Sequence, residues 1–531
     1  GLASAPVSGT PGILSPVEPR VATLPDLLLG AAAEHGDRIA LRSGDRPIAY
    51  AEVAEWVCRA ASGLAELGVR RGDRVAMLVG NVPEFVYALY GAQAAGAVVA
   101  PLNVMLTPEE VGYILADADA KVVIAQIDYL PTVLAVRDRV ASIEHVLVVG
   151  PPPTPRGTRS FDELLDRARP RLPEVEVASE DLAVLAYTAG TTASPKGAML
   201  THGNLLANLE QISRVPAFEE DASDVVLAAL PLFHSYALNV VLGVTFMAGA
   251  TAVLVERFDP LETLRLIERH HVTILFGAPP MFHAWVEAAE RAEADLSSVR
   301  LAVSGASALP ERVLQAFRER FGMTIMEGYG LTEAGPAVTT NAMGEARPGS
   351  IGLPLPGVEV RLLDEDGEEV ADGDPGEILV RGPNIFLGYW GRPEESEAVL
   401  RDGWLHTGDV AYRDDDGYLH VVDRKKDLVI VSGFNVFPKE VEDAILAHPD
   451  VADCVVVGEP DERTGERVVA YVVAAPGAAV TEEEVREHCA GFLARFKVPR
   501  RVEVVDELPK HATGKVLRRE LREAKHPEGV A

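Results

Sequence analysis

Cysteine is almost missing from this chain: three residues in 531, at Cys58, Cys454 and Cys489. They share no short metal-ligand spacing and cannot make an even-numbered framework, which excludes a disulfide scaffold and fits a reducing cytoplasm. Positive charge is also in short supply. The 49 Lys and Arg stand against 80 Asp and Glu, a net charge of −31. A general nucleic-acid binder is excluded, because phosphate contacts need a basic surface; local positive sites for a small anion are not. Residues 1–20 lack a basic start followed by an apolar run, so no signal peptide is expected there and we read a loose tail. An unbroken membrane-length apolar stretch is missing too. Residues 225–255 carry no charge beyond a neutral His234, but Pro231 and Gly243 interrupt them and Gly249 sits where a helix would end. The expectation is strand, buried helix over about 236–248, and strand 251–255, with no membrane span.

What is present is a chain too long for one hydrophobic core, since cores stop growing near roughly 250–300 residues. From residue 21 to about 300, helical spacing (51–67, 84–95) alternates with short apolar strands (74–79, 98–101, 121–125, 145–149). That alternation predicts parallel βαβ units with helices on both faces. Between about 349 and 422, strand-like pieces separated by Gly, Asp and Pro predict a smaller β-rich subdomain. A densely charged stretch, 423–427, precedes a fresh α/β pattern with helices at 437–446 and 481–493 and strands at 452–457 and 467–473. The expected architecture is α/β: a tail (1–20), an N-terminal domain (21–423) of two α/β subdomains plus the β-rich one, a hinge (424–427) and a small mobile α+β C-terminal domain (428–531). A linker this short between compact bodies makes relative rotation the default.

Four short segments carry polar chemistry. Tyr187-Thr-Ala-Gly-Thr-Thr-Ala-Ser-Pro-Lys-Gly197 is a small-residue, hydroxyl-rich loop between two apolar strands. Its backbone amides, Thr188, Thr191, Thr192 and Lys196 suit a phosphate cradle, although the Walker A order is absent and a surface turn reads equally well in isolation. In Glu327-Gly-Tyr-Gly-Leu-Thr-Glu333 two glycines let the backbone approach a planar ligand, Thr332 offers a hydroxyl and Glu333 a carboxylate suited to Mg²⁺. His406-Thr-Gly-Asp409 presents an acceptor for a ribose diol, and Pro509-Lys-His-Ala-Thr-Gly-Lys515 a lysine on the mobile domain. Each alone is equally a turn, a cap or a solvated charge.

Taken in order, these segments resemble the ANL superfamily of adenylate-forming enzymes, in its acyl-CoA synthetase branch, over residues 21–525. Further matches carry the resemblance: Leu230-Pro-Leu-Phe-His234, Ser304-Gly-Ala-Ser-Ala308, Gly376-Glu-Ile-Leu-Val-Arg381 with Gly388-Tyr389, Asp423-Arg-Lys-Lys-Asp427, and Ser432-Gly-Phe-Asn435 with Pro438. The resemblance implies a two-step reaction: ATP and a carboxylic acid give acyl-AMP and pyrophosphate, then coenzyme A displaces AMP. It implies that Lys515 bridges carboxylate and α-phosphate, Thr332 holds that phosphate, and Glu333 binds Mg²⁺. Asp409 and Arg424 would hold the ribose, and Glu327, Gly328 and Tyr329 would enclose the adenine with Ala306 and Ser307. Lys426 marks the hinge; Ser432, Gly433 and Phe434 would form the pantetheine channel. The acyl pocket is expected from His234, Tyr236, Leu238, Gly277, Ala278, Ala306 and Gly330, with His234 at the boundary of the acyl and thiol tunnels. They are mostly small and apolar, so a fatty, aryl or bulky polycyclic acid fits.

Two departures bear on the first half-reaction. Ala189 replaces the usual serine, removing a donor worth about 1.5–3 kcal/mol to a charged group. Ala193 replaces a usual glycine, costing on the order of 1–2 kcal/mol if the backbone there is left-handed. A thiolation-biased enzyme fed with a preformed adenylate therefore stands beside the full ligase. So do a free-standing adenylation enzyme loading a carrier protein, a luciferase-like oxygenase and a non-catalytic binder, while a homodimer and a separate adenylating enzyme stay open as partners.

Overall fold

The computed structural model describes residues 19, 21–188, 194–219, 221–424, 427–431, 434–461, 464–510, 516, 518 and 521. Four sheets organise them. In a seven-stranded sheet the order is Arg159–Ser160, His145–Val149, Ala120–Gln126, Arg74–Leu78, Val98–Pro101, Leu182–Thr188 and Lys196–Thr201. All neighbours there are parallel except the last two, which form an antiparallel hairpin. A nine-stranded sheet runs parallel from Ile325–Gly330 through Leu301–Ser304, Ile274–Gly277, Val225–Ala228 and Thr251–Leu254 to Ile39–Ser43. Antiparallel strands close both of its ends. The expected βαβ units are thus present, with the connections as helices.

Two of those helices, Tyr50–Glu66 and Pro83–Ala94, cross at very short range. A Cβ on Gly91 would sit 2.4 Å from the Ala60 Cβ, so only glycine lets the backbones approach this closely. One apolar core runs continuously from Leu28 on the first helix through Val75, Phe85, Phe246 and Phe276 to Ile378 and Leu405. A second apolar cluster, from Leu78 and Ile114 through Val123 to Leu185, covers the other face of the seven-stranded sheet. The uncharged stretch resolves into central strands Val225–Ala228 and Thr251–Leu254, with a helix between them that ends at Gly249 in the left-handed region (φ 68°). No helix among the described residues is long and apolar enough to cross a membrane. The connecting helix differs from expectation in its winding: Tyr236–Gly243 is a π-helix, and only Val244–Ala248 is α.

The β-rich segment is a five-stranded antiparallel sheet of Glu359–Leu363, Gly376–Arg381, Leu400–Arg401, Trp404–Arg413 and Leu419–Arg424. Beyond it, Val429–Val431, Phe434–Val436, Val451–Asp461, Gly465–Ala474 and Arg501–Val504 form a fourth sheet. Helices Pro438–Leu446 and Glu482–Ala490 pack on one face of it around a shared apolar cluster, and a smaller cluster around Tyr471 and Leu508 covers the other face. The capping box read at Thr481 and Glu484 is present, each side chain bonding the other's backbone amide.

Candidate functional site

The site opens where the parallel strands of the nine-stranded sheet end, the usual place for a ligand crevice in an open α/β sheet. A cleft lies there, between the ends of Ile274–Gly277, Leu301–Ser304 and Ile325–Gly330 and the π-helix. None of the described residues lining it is Lys, Arg, Asp or Glu. Its walls are aromatic: Phe218 stacks on Phe276 at 6.0 Å, and Tyr236 meets Phe276 edge-on at 6.1 Å. The Tyr236 hydroxyl is pushed above its ordinary range by burial alone. Ser304 Oγ is buried in the wall with no hydrogen-bond partner among the described residues.

Of the residues expected in the acyl pocket, His234, Tyr236, Ala306 and Gly330 line the cleft, whereas Leu238, Gly277 and Ala278 do not. The division follows from periodicity. Successive strand residues face opposite sides, so Phe276 points into the cleft and Gly277 away from it. A Cβ on Gly277 would stand 2.8 Å from Phe282 in the core. On the π-helix Tyr236 and Val240 share the cleft face, leaving Leu238 about half a turn round and buried. Ala278 is the buried residue ahead of helix Pro279–Ala289. Phe218, Val240 and Phe276 line the cleft as well, and a strict alternation count along 274–277 points to Phe276.

Ala306 has φ 72°, left-handed for a residue with a Cβ, a conformation that costs roughly 1–2 kcal/mol. It turns the chain sharply after Ser304 and leaves Ala306 and Ser307 exposed at the cleft edge. Opposite them, Glu327 is buried and its Oε1 accepts the Leu309 amide at 3.1 Å. Burial pushes its carboxyl up to about 7, against the opposing pull of backbone amides and the Lys439 charge.

Polar groups gather at the other end. Ser235 and Thr332 hydroxyls lie 3.1 Å apart at the cleft mouth, beside His234. Tyr329 donates its hydroxyl to Asp409 Oδ2 at 2.6 Å, joining two of the nucleotide motifs. Asp409 pairs in register with Arg424 across the β-rich sheet. Glu333 Oε1 accepts the Tyr389 hydroxyl at 2.8 Å. Burial and the neighbouring Glu333 carboxylate raise that phenol well above its ordinary value. Thr188 and Lys196 face each other across the hairpin that carries the hydroxyl-rich loop. Thr191, Thr192, Ala189 and Ala193 lie outside the described residues, as do Lys426, Ser432, Gly433 and Lys515. Phe434 opens the strand Phe434–Val436.

Known proteins decide what this assembly belongs to. Residues 29–390 match the AMP-binding enzyme family and residues 440–515 the AMP-binding enzyme C-terminal domain. The chain belongs to the AMP-binding enzyme family. A long-chain-fatty-acid–CoA ligase of Bacillus subtilis is 36% identical, covering 94% of both chains. A feruloyl-CoA synthase of Amycolatopsis is 42% identical over 91% of this chain and 95% of its own. Among solved structures, the anthranilate CoA ligase AuaEII in complex with anthranoyl-AMP superposes with a TM-score of 0.89. It is 32% identical, covering 96% of this chain and 98% of that one. ATP-bound MatB from Rhodopseudomonas palustris gives 0.88 at 34% identity, covering 94% and 98%. As a member of this family, the chain resembles these ligases along nearly its whole length.

Proposed function

We propose that this adenylate-forming acid–CoA ligase converts an uncharged hydrophobic monocarboxylic acid, best an aryl acid, into its CoA thioester by both half-reactions. The observation that carries the reading is the cleft: aromatic-walled and without a charged lining residue, it runs to the Ser235–Thr332 pair beside the phosphate-side groups. A second carboxylate on the acid would meet no Lys or Arg among the described lining residues, and burying an unpaired charge is costly. Stacked and edge-on rings favour a planar acyl group.

In this reading the acid enters with its carboxylate toward His234 and Thr332. ATP lies across Tyr329 and Asp409, with its phosphates toward Thr332 and Lys196; the Tyr329–Asp409 hydrogen bond orients the carboxylate that receives the ribose. Mg²⁺ fits at Glu333, a single carboxylate held by Tyr389, since this ion keeps waters and substrate phosphates as its other ligands. Bound there, it neutralises phosphate charge. Lys515, placed by its motif, stabilises charge developing between carboxylate and α-phosphate. Rotation about Lys426 then withdraws Lys515 and brings Ser432, Gly433 and Phe434 to line the path of the thiol, so one site serves two incompatible steps.

The test is a panel of acids (cinnamate-type, benzoate-type, medium and long fatty, dicarboxylic) with ATP and CoA, read by mass spectrometry. Pyrophosphate release and thioester formation from supplied acyl-adenylates are followed alongside. Aryl acids are expected to lead and dicarboxylic acids to fail. Turnover of dicarboxylic acids would overturn the substrate reading. Thioester formation from adenylates without pyrophosphate release would overturn the two-step reading in favour of a thiolation-biased enzyme.

A further inference from the structure

Lys196, the cation of the hydroxyl-rich loop, is already engaged. Its ammonium forms an ion pair with Glu395, and lies 5.3 Å from the centre of the Tyr389 ring. Neither partner is loosely placed. The Lys196 side chain is 13% exposed, and Glu395 stands on the short helix Pro393–Val399. The segment leading into that helix is stitched to the lysine's own strand: Met199 N–H donates to Gly388 O, Leu387 N–H to Met199 O and Trp390 N–H to Gly197 O. Tyr389 N–H donates to Ser396 Oγ at 2.8 Å, fixing the helix start. Arg392 bonds Asp117 at 2.7 Å and stands 3.8 Å from Glu395, so it steadies the same helix. The same Tyr389 whose ring faces Lys196 donates its hydroxyl to Glu333.

We propose that Glu395 is a positioning residue that sets the affinity for ATP by holding Lys196. This rests on reading Lys196 as a phosphate-binding cation. A polyphosphate arriving at the loop must exchange with the Glu395 carboxylate, and until it does the carboxylate offsets the lysine's charge and repels the anion. Removing the negative charge while keeping the side chain's shape therefore strengthens ATP binding. Only the ATP half-reaction is affected, because the second half-reaction carries no β- or γ-phosphate.

The experiment titrates MgATP into wild type, Glu395→Gln, Glu395→Asp, Lys196→Ala and the Lys196→Ala/Glu395→Gln double variant, with thermal melts to confirm folding. Glu395→Gln is expected to lower the Kd and the KM for ATP in pyrophosphate release by about three- to tenfold, an ordinary range for one partly buried charge pair. Thioester formation from a supplied adenylate should be unmoved. Glu395→Asp should restore wild-type affinity, and in the Lys196→Ala background the gain should vanish. An unchanged or weaker affinity in folded Glu395→Gln overturns the proposal; weaker binding would make Glu395 a metal or phosphate-water contact instead. So would an equal gain without Lys196. If wild type binds no ATP and releases no pyrophosphate with any acid, the two-step reading itself fails. If wild type does both and Glu395→Gln changes nothing, only this inference fails.

Discussion

The two ends of the candidate site are built on opposite principles. The aromatic cleft is shaped by packing: stacked rings, a left-handed Ala306 and a glycine with backbone against it, and no charged lining residue among those described. The polar end is shaped by charge, and its charged groups have partners: Lys196 with Glu395, Arg392 with Asp117, Glu333 with the Tyr389 hydroxyl. A packed end is ready for its ligand and selects by shape. A paired end must trade protein partners for ligand atoms, so its affinity is a difference between two sets of bonds. Mutations should therefore act through stability and selectivity at the first end, and through nucleotide kinetics at the second.

The sharpest separation comes from Lys515→Ala. Pyrophosphate release is expected to fall by about 10²–10³-fold, the usual loss for one preorganised electrostatic contact. Thioester formation from a supplied adenylate should persist, and equal loss of both would dissolve the division.

Glu327 is where the two regimes meet, a carboxyl buried behind the cleft. Its pKa in the fold, about 7, lies above the ordinary 4.5. The folded chain thus holds a proton that the unfolded chain releases between those values, and stability falls as pH rises from 4.5 to 7. Above 7 the full cost of a buried carboxylate is present, up to ~3 kcal/mol at 1.36 kcal/mol per unit. Glu327→Gln should be more stable than wild type at pH 8 and nearly equal near pH 4.5, measured by urea unfolding at both. A difference that grows toward low pH would refute the burial argument.

Gly330 tests the packed end directly. A Cβ there would meet the Pro336 carbonyl oxygen at 2.0 Å, which is backbone and cannot swing away. Gly330→Ala should lose about 1–3 kcal/mol in urea unfolding and distort acid selectivity. An unperturbed variant would show the cleft to be softer than its packing suggests. The smallest effect is expected from Tyr389→Phe, which frees Glu333 of its hydroxyl partner. The Mg²⁺ concentration for half-maximal pyrophosphate release should rise by about tenfold, as for other groups that orient a metal ligand. Adenylate thiolation should not change.

What was legible beforehand divides along the same line. Strands 98–101 and 145–149 and the helix read over 51–67, observed at Tyr50–Glu66, follow from periodicity, because apolar spacing is what a buried sheet and its helices impose. The ordered motifs singled out Thr332, Glu333, Asp409 and Tyr329, since each lies in a local run of residues, and the fold joins Tyr329 to Asp409. Which of the expected pocket residues line the cleft was not legible, because a wall depends on which face each residue turns, and a shift of one position reverses that in a strand. The Lys196–Glu395 and Tyr389–Glu333 pairs were invisible. Partners 199 and 56 residues apart leave no spacing signal, and nothing in the run Pro393-Glu-Glu-Ser-Glu397 says which carboxylate meets a lysine.

The π-helix at Tyr236–Gly243 carries a consequence for how this scaffold can change. A π segment is an α-helix with extra chain wound into it. Removing one residue from it would let the helix relax to α winding while Val244–Ala248 and the sheet beyond keep their places. The flanks would keep nearly their present faces, because the tighter α winding offsets the missing residue, and the change would fall on residues inside the segment, Val240 of the cleft wall among them. The segment is a register dial: a single-codon deletion there would re-cut one wall of the cleft without touching the strands that carry the others.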